Sequence, residues 1–508
     1  MGSVSNLKCF SGEDFLFDGL PTEIQLEITK SLDNESLKQM RLVSRRWNEG
    51  VKNIVSFDYK LAPLTDQTAR NVLPFSHHIR TIQVNQLLNR DQVLRQIKPF
   101  GVISSAEKII LGEQIDAFVV RKVLKNATDV EKFALDPVDP RVGEVFLGFR
   151  GVFSNVTEFE LKLNLTTSQL KEEKLFLRKL SSTRKFPNLL SYNVDWNLVT
   201  LRTVEQYDEA LLLHSIYISL HNFLHTHRTT VQKIRWDFGK LDIPGLYDYA
   251  KNMTTYVAMK EKMSQVALKE VTVKLGYMEG DEHWDLNTTM LRNQFSLTKV
   301  AFTGNVIPEH ETPSRLHSLD VTMDVLMENN KSTLTDIYVH NRIFSFYCIE
   351  HCNHLRKLAL KGGSIISTRP LNHISVPKGL EELHLDFKFI FQPDIINLLD
   401  WFPKLGELKV LTIQLNMRWT AFESFPTFQD FHQLLKPPKL CNLIFHFDAT
   451  TAYKLHVLKQ KVADLEARFR NFSGLRITYE HSLDDNIFTL RTTLDRNLFK
   501  GIETNNPA

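Results

Sequence analysis

An α/β repeat array, preceded by a small all-helical module, is the architecture this sequence predicts. Three observations carry it. Helical apolar stripes are packed into a short stretch near the start of the chain. After them, an apolar pattern with strand-like alternation recurs from Ile79 to Phe445. A further apolar residue then follows that pattern at a constant distance in unit after unit.

The first element runs from Leu20 to Trp47. Pro21 suits the first turn of a helix, where its missing N–H costs nothing. Ile24, Ile28 and Leu32 recur at a spacing of four and form one apolar stripe. Asp33-Asn34 breaks that helix, and Asn34 or Ser36 can cap the next. Leu37 and Met40, then Val43 and Trp47, repeat the helical spacing. Three small helices of about 35 residues cannot bury enough apolar surface to fold alone, so the rest of the chain or a partner must cover them.

This stretch resembles the F-box. The resemblance runs in order and spacing over Leu20-Pro21, Glu23-Ile24, Ile28, Leu32, Leu37, Arg41, Val43, Arg45 and Trp47. Ser44 departs from it, standing where many members carry Cys. The resemblance implies that Leu20, Pro21, Ile24, Ile28, Leu32, Leu37, Val43 and Trp47 make or support contact with a Skp-type adaptor, and through it with cullin and RING subunits. The F-box is placed at 15–58.

Residues 59–76 hold Pro63 and Pro74 around a polar run and read as a connector with some helix. Beyond them the pattern is apolar, two residues, apolar, one residue, apolar. Examples are Ile79/Ile82/Val84, Val156/Phe159/Leu161, Leu189/Tyr192/Val194 and Leu355/Leu358/Leu360. It continues at Leu316/Leu319/Val321, Leu405/Leu408/Val410 and Leu440/Leu443/Phe445. Many spacings fall in or near the 20–29 residues of leucine-rich repeats. An apolar residue five positions after the third one appears in nine consecutive units, from Val199 through Leu326 to Leu415. The expected fold is a degenerate leucine-rich-repeat solenoid over 77–480, with parallel strands on the concave face and helices on the convex face. Leu475 to Tyr479 reads as an atypical capping strand, and 481–508 as a C-terminal cap and disordered tail.

Composition narrows the function. The chain is 43% hydrophobic and 24% charged with a net charge of +3, too balanced for a nucleic-acid footprint. Four cysteines are too few for a disulfide framework and suit a reducing compartment. Met1–Asn6 holds no apolar signal region, and no run of about 18 apolar residues occurs, so neither secretion nor membrane insertion is expected. The expected location is intracellular, in cytoplasm, nucleus or both.

Two clusters invite a metal. His221 and His225 are four apart with His214 and His227 nearby, but no Glu follows His221 in the metalloprotease pattern, and no third ligand stands out. Cys348, His351, Cys352 and His354 have zinc-compatible spacing, against which stands a plain return helix with Cys as a small apolar residue. The bland reading is preferred for both, and no cofactor is expected.

The better site is the polar set flanking the third apolar position of each unit. Its densest mixed stretch is Tyr338, His340, Lys361, His384 and Asp386, read as part of a surface for a protein target. An F-box followed by leucine-rich repeats resembles a substrate receptor of an SCF-type ubiquitin ligase, which needs no catalytic residue of its own. The alternative is an F-box scaffold that degrades nothing.

Overall fold

The computed structural model describes residues 57–61, 79–84, 106–127, 129–166, 168–198, 207–238, 254–275, 285–304, 325–340, 349, 351–361, 377–387, 402–415, 433–448, 452–470, 473–482, 487–496 and 498. The chain divides into two units, Met1–Thr157 and Glu158–Ala508.

In the first unit, β1 (Phe57–Leu61), β2 (Ile79–Val84), β3 (Lys108–Leu111) and β4 (Lys132–Leu135) pair in parallel and in chain order. Ile82, Ile109 and Phe133 share one register column, and Val84, Leu111 and Leu135 share another. All six are buried. The second and third apolar positions of the sequence pattern are thus one face of a pleated ladder. Among the described residues the ladder begins at Phe57, ahead of the expected solenoid start at 77 and reaching into the stretch read as a connector. Tyr59 and Leu61 stand opposite Ile82 and Val84. A lone alternating pair is too short to show the longer pattern.

The returns are set by local chemistry. The helix α1 (Ala117–Asn126) starts where the Asp116 carboxylate accepts the Phe118 N–H at 2.7 Å. The helix α2 (Pro140–Gly148) is capped by Asp139 and opens with Pro140. The other oxygen of Asp139 accepts the N–H of Gln114, at 2.8 Å, where the backbone turns through a positive φ of 57°. One carboxylate therefore ties the turns of two successive repeats together. Beneath them, Phe133, Phe146 and Phe153 pack ring on ring, 5.1–5.8 Å between centroids.

In the second unit ten strands run parallel in chain order among the described residues. These are β5 (Glu158–Leu165), β6 (Ser191–Leu198), β7 (Lys233–Phe238), β8 (Glu270–Leu275), β9 (Lys299–Gly304), β10 (Asp336–His340), β11 (Lys357–Lys361), β12 (Glu382–Phe387), β13 (Val410–Leu415) and β14 (Asn442–Asp448). Helices α3 (Leu170–Ser181), α4 (Tyr207–Thr226), α5 (Thr254–Met263) and α6 (Asp285–Arg292) return the chain between β5 and β9. The first three fill the long spacings that separate the repeat positions Val156, Leu189, Val231 and Leu268. Such a ladder with helical returns has the build of a leucine-rich-repeat solenoid. The three-helix module over 15–58 lies outside the described residues, apart from its last two, which begin β1.

One sequence assignment is corrected, and another lies outside the described residues. The latter is Leu316/Leu319/Val321; among the described strands β10 pairs directly with β9. Leu326, expected to turn inward after that unit's strand, is buried in the helical turn 325–330. The correction concerns β13, whose core residues are Leu411 and Ile413, opposite Leu383 and Leu385. The unit reads Leu408/Leu411/Ile413, three residues later than Leu405/Leu408/Val410. Both frames satisfy the apolar pattern, and only strand pairing separates them.

Buried amides stitch neighbouring repeats. Gln294 accepts the Leu268 N–H and donates to the Val266 carbonyl. Asn330 does the same one repeat later, accepting from Leu297 N–H and donating to the Gln294 carbonyl, each at 2.8 Å. Both side chains are fully buried, so these bonds satisfy backbone groups that water cannot reach.

The end is an antiparallel hairpin rather than another parallel unit. The helix α7 (Ala452–Phe469) leads to β15 (Leu475–Ser482) and β16 (Ile487–Leu494), and β16 pairs antiparallel with β14 on one side and β15 on the other. Phe488, Leu490 and Leu494 complete the core. Arg496 then donates to the carbonyls of Leu440, Leu435 and Pro437 at 2.6–2.9 Å, satisfying the last return.

Candidate functional site

From β10 to β14 the strands alternate, except that the small Ala359 of β11 is buried along with Leu358 and Leu360. Ile337, Leu358, Leu383, Leu411 and Leu443 form one buried column, and Val339, Leu360, Leu385, Ile413 and Phe445 the next. The residues between them lie on the opposite, open face. One row there is Tyr338, Ala359, His384, Thr412 and Ile444, continued by Arg491 on β16. The next is His340, Lys361, Asp386, Gln414 and His446, continued by Thr489.

All five residues predicted for a target surface therefore fall on one face over three adjacent strands. The Tyr338 and His340 rings meet edge-on, 6.3 Å between centroids, and Lys361 Nζ sits 5.8 Å above the Tyr338 ring. His384 Nε2 lies 3.4 Å from Glu382 Oε2, which also takes Lys357 Nζ at 2.6 Å. Lys357, helped by His384, holds the Glu382 carboxyl below the usual carboxylate range. Burial pushes the His384 imidazole below its ordinary value, and the Glu382 contact only partly opposes this. Asp386 occupies its register position beside Lys361 and Gln414.

Sequence reasoning missed two neighbours. His446 flanks Phe445 in the last parallel unit, so the same rule could have found it. It bonds to Thr489 Oγ1 through Nδ1 at 3.0 Å, and burial, then Arg491, Lys361 and His384, push it below its ordinary pKa. Arg491 had no signal in the sequence, because its register depends on an antiparallel hairpin that breaks the repeat.

The metal candidates do not converge. His221 is buried with Nδ1 on the Tyr217 carbonyl and its ring against Trp236, while His225 meets Gln265. His227 bonds to the Phe223 carbonyl. Cys352 is buried and its thiol pushed up to about 11, chiefly by burial, whereas His351 and His354 are exposed. Among the described residues no group of three or more His, Cys, Asp or Glu side chains is placed to hold a metal ion. Cys348 lies outside them.

The N-terminal edge of the same strands is a row of ion pairs. Lys357–Glu382, Lys409–Glu381 and Lys439–Glu407 each bridge neighbouring repeats at 2.6–2.7 Å. An open cavity of about 620 Å³ beside them is lined by Thr335, Asp336, Arg356 and Lys357 among others.

The adaptor residues predicted from Leu20 to Trp47 lie outside the described residues. Residues 17–57 match the family model described as F-box-like, so the match ends at the first residue of β1. No curated protein sequence matches the chain. Among the solved structures that match is the crystal structure of a TLR13–ssRNA13 complex, at 13% identity, covering 66% of this chain and 45% of that chain, with a TM-score of 0.31. The match therefore spans less than half of that chain, and a likeness this distant carries no argument about function. No helix among the described residues is long and apolar enough to cross a membrane.

Proposed function

We propose that the chain is a substrate-recognition subunit of an SCF-type ubiquitin ligase. The observation that carries this reading is the order of the parts: an F-box-like segment over 17–57, followed at once by a ladder of leucine-rich-repeat build. In this reading Leu20, Pro21, Ile24, Ile28, Leu32, Leu37, Val43 and Trp47 engage a Skp-type adaptor, which brings cullin and RING subunits. The open face of β10–β12 holds a protein target. The chain itself transfers nothing. It raises the effective concentration of target lysines near a charged ubiquitin carrier, turning a bimolecular encounter into a nearly intramolecular one.

Affinity purification of the wild type beside Leu20→Ala with Pro21→Ala tests this. A few buried apolar anchors usually carry most of an interface, each contributing about 1.5–3 kcal/mol when fully buried. The double variant should therefore lose adaptor and cullin at least tenfold, and captured targets should accumulate rather than turn over. Adaptor recovery at the wild-type level refutes the reading.

A further inference from the structure

Several lysines along the sheet of the second unit pair with acidic residues of a neighbouring repeat. At the N-terminal edge of β11–β14 the lysines pair with glutamates of adjoining repeats. On the open face between β7 and β8, Lys274 pairs with Asp237 at 2.8 Å. Lys361 on β11 and Arg491 on β16 break this habit. Both are exposed, and neither is ion-paired among the described residues.

Between them lie the half-buried imidazoles of His384 and His446, over a floor of uncharged Thr412 and Gln414. Among the described residues the charged groups acting on His446 are Arg491, Lys361 and His384. Those acting on His384 are Glu382, already neutralised by Lys357, and the cations Lys357 and Lys361. Two acidic residues neighbour the strip by register: Asp386 opposite Lys361, and Glu480 on β15 opposite Thr489. The strip itself carries the cations Lys361 and Arg491 with the half-buried imidazoles of His384 and His446 between them.

We infer that the strip from Lys361 to Arg491 docks an extended acidic segment, rich in Asp or Glu, of a protein partner. This rests on the receptor reading above and names the chemistry of the target. The strip crosses four strand intervals, roughly 19 Å, which about six extended residues span. Carboxylates laid along it reach Arg491 at one end and Lys361 at the other, and pass the two imidazoles between. An anion there favours the protonated rings, so binding takes up protons and tightens as pH falls.

The test titrates the full chain with a fluorescein-labelled hexaglutamate peptide, beside hexaglutamine and a six-nucleotide single-stranded RNA. Hexaglutamate should bind saturably, more tightly at pH 6 than at pH 7.5, and hexaglutamine should not. Lys361→Gln with Arg491→Gln should weaken it at least tenfold with melting unchanged. Arg491→Gln alone, at an exposed cap position, should give a smaller loss of the same sign. Absence of hexaglutamate binding, an unaltered affinity in the double variant, or equal affinity for RNA overturns the inference. Adaptor recovery is read on the same samples. A chain that captures the adaptor but ignores the peptide sinks this inference and leaves the receptor reading standing.

Discussion

Glu173 shares the buried face of α3 with Leu170 and Leu177, yet neither carboxylate oxygen meets a donor. Burial, then the neighbouring Glu172, pushes its pKa up to about 8 from an ordinary 4.5. The folded chain keeps a proton that the unfolded chain sheds across that window. Its contribution is thus fully present below about pH 4.5 and is lost as pH rises through 8. At pH 7 the cost is on the order of 3 kcal/mol. Glu173→Gln removes the titration while nearly keeping the shape. The variant should melt higher than wild type at pH 8 and close to it at pH 5; parallel melting curves across that range would dismiss the account. His214, pushed down to about 4 by burial, titrates in both proteins and cancels in the comparison. The sequence held this clue, since Glu173 is three and four residues from Leu170 and Leu177 on one helical stripe. Gln294 and Asn330 were harder to see: a buried amide and an exposed one look alike until the neighbouring repeat supplies the backbone groups they satisfy.

At the scale of elements, the repeat was legible wherever burial and alternation act together. In β5, Phe159, Leu161, Leu163 and Leu165 alternate with half-buried polar residues, and the sequence shows that without help. Leucines at 405, 408 and 411 offer two equivalent frames, so register there waited on the pairing with β12. The closing hairpin escaped for a different reason. Nothing in Leu475–Tyr479 distinguishes a parallel last unit from an antiparallel pair, and the chain order alone suggests the former. What secures the hairpin is Arg496, whose guanidinium bonds to three carbonyls of the final return. Charge-assisted bonds of this kind contribute about 1.5–3 kcal/mol each, less than additively when one group makes all three. Arg496→Met should therefore loosen the cap by about 2–4 kcal/mol. Amide exchange should accelerate in β15 and β16 and stay unchanged in β5–β8, because a repeat array passes stability only between neighbours. Uniform acceleration along the array would show that the cap governs the whole fold.

At the scale of the whole molecule, the proposed division of adaptor docking and target capture along one chain makes a prediction about where it can be cut. The F-box-like match ends at residue 57, and β1 begins at the same residue. A cut placed after residue 58 removes Phe57 and Asp58 from a strand that pairs with β2, whereas a cut before Phe57 keeps that strand whole. A chain of residues 57–508 should melt within a few degrees of full length and bind hexaglutamate with unchanged affinity, while recovering no adaptor. A chain starting at residue 62 lacks β1 and uncovers the backbone edge of β2, with Ile79, Ile82 and Val84 on that strand. Unprotected strand edges recruit other chains, so this second truncation should aggregate at concentrations where the first stays monomeric. Size-exclusion chromatography and melting of the pair decide the matter. If the 57–508 chain is itself insoluble, the helical stretch belongs to the core of the first unit, and adaptor docking cannot be separated from folding.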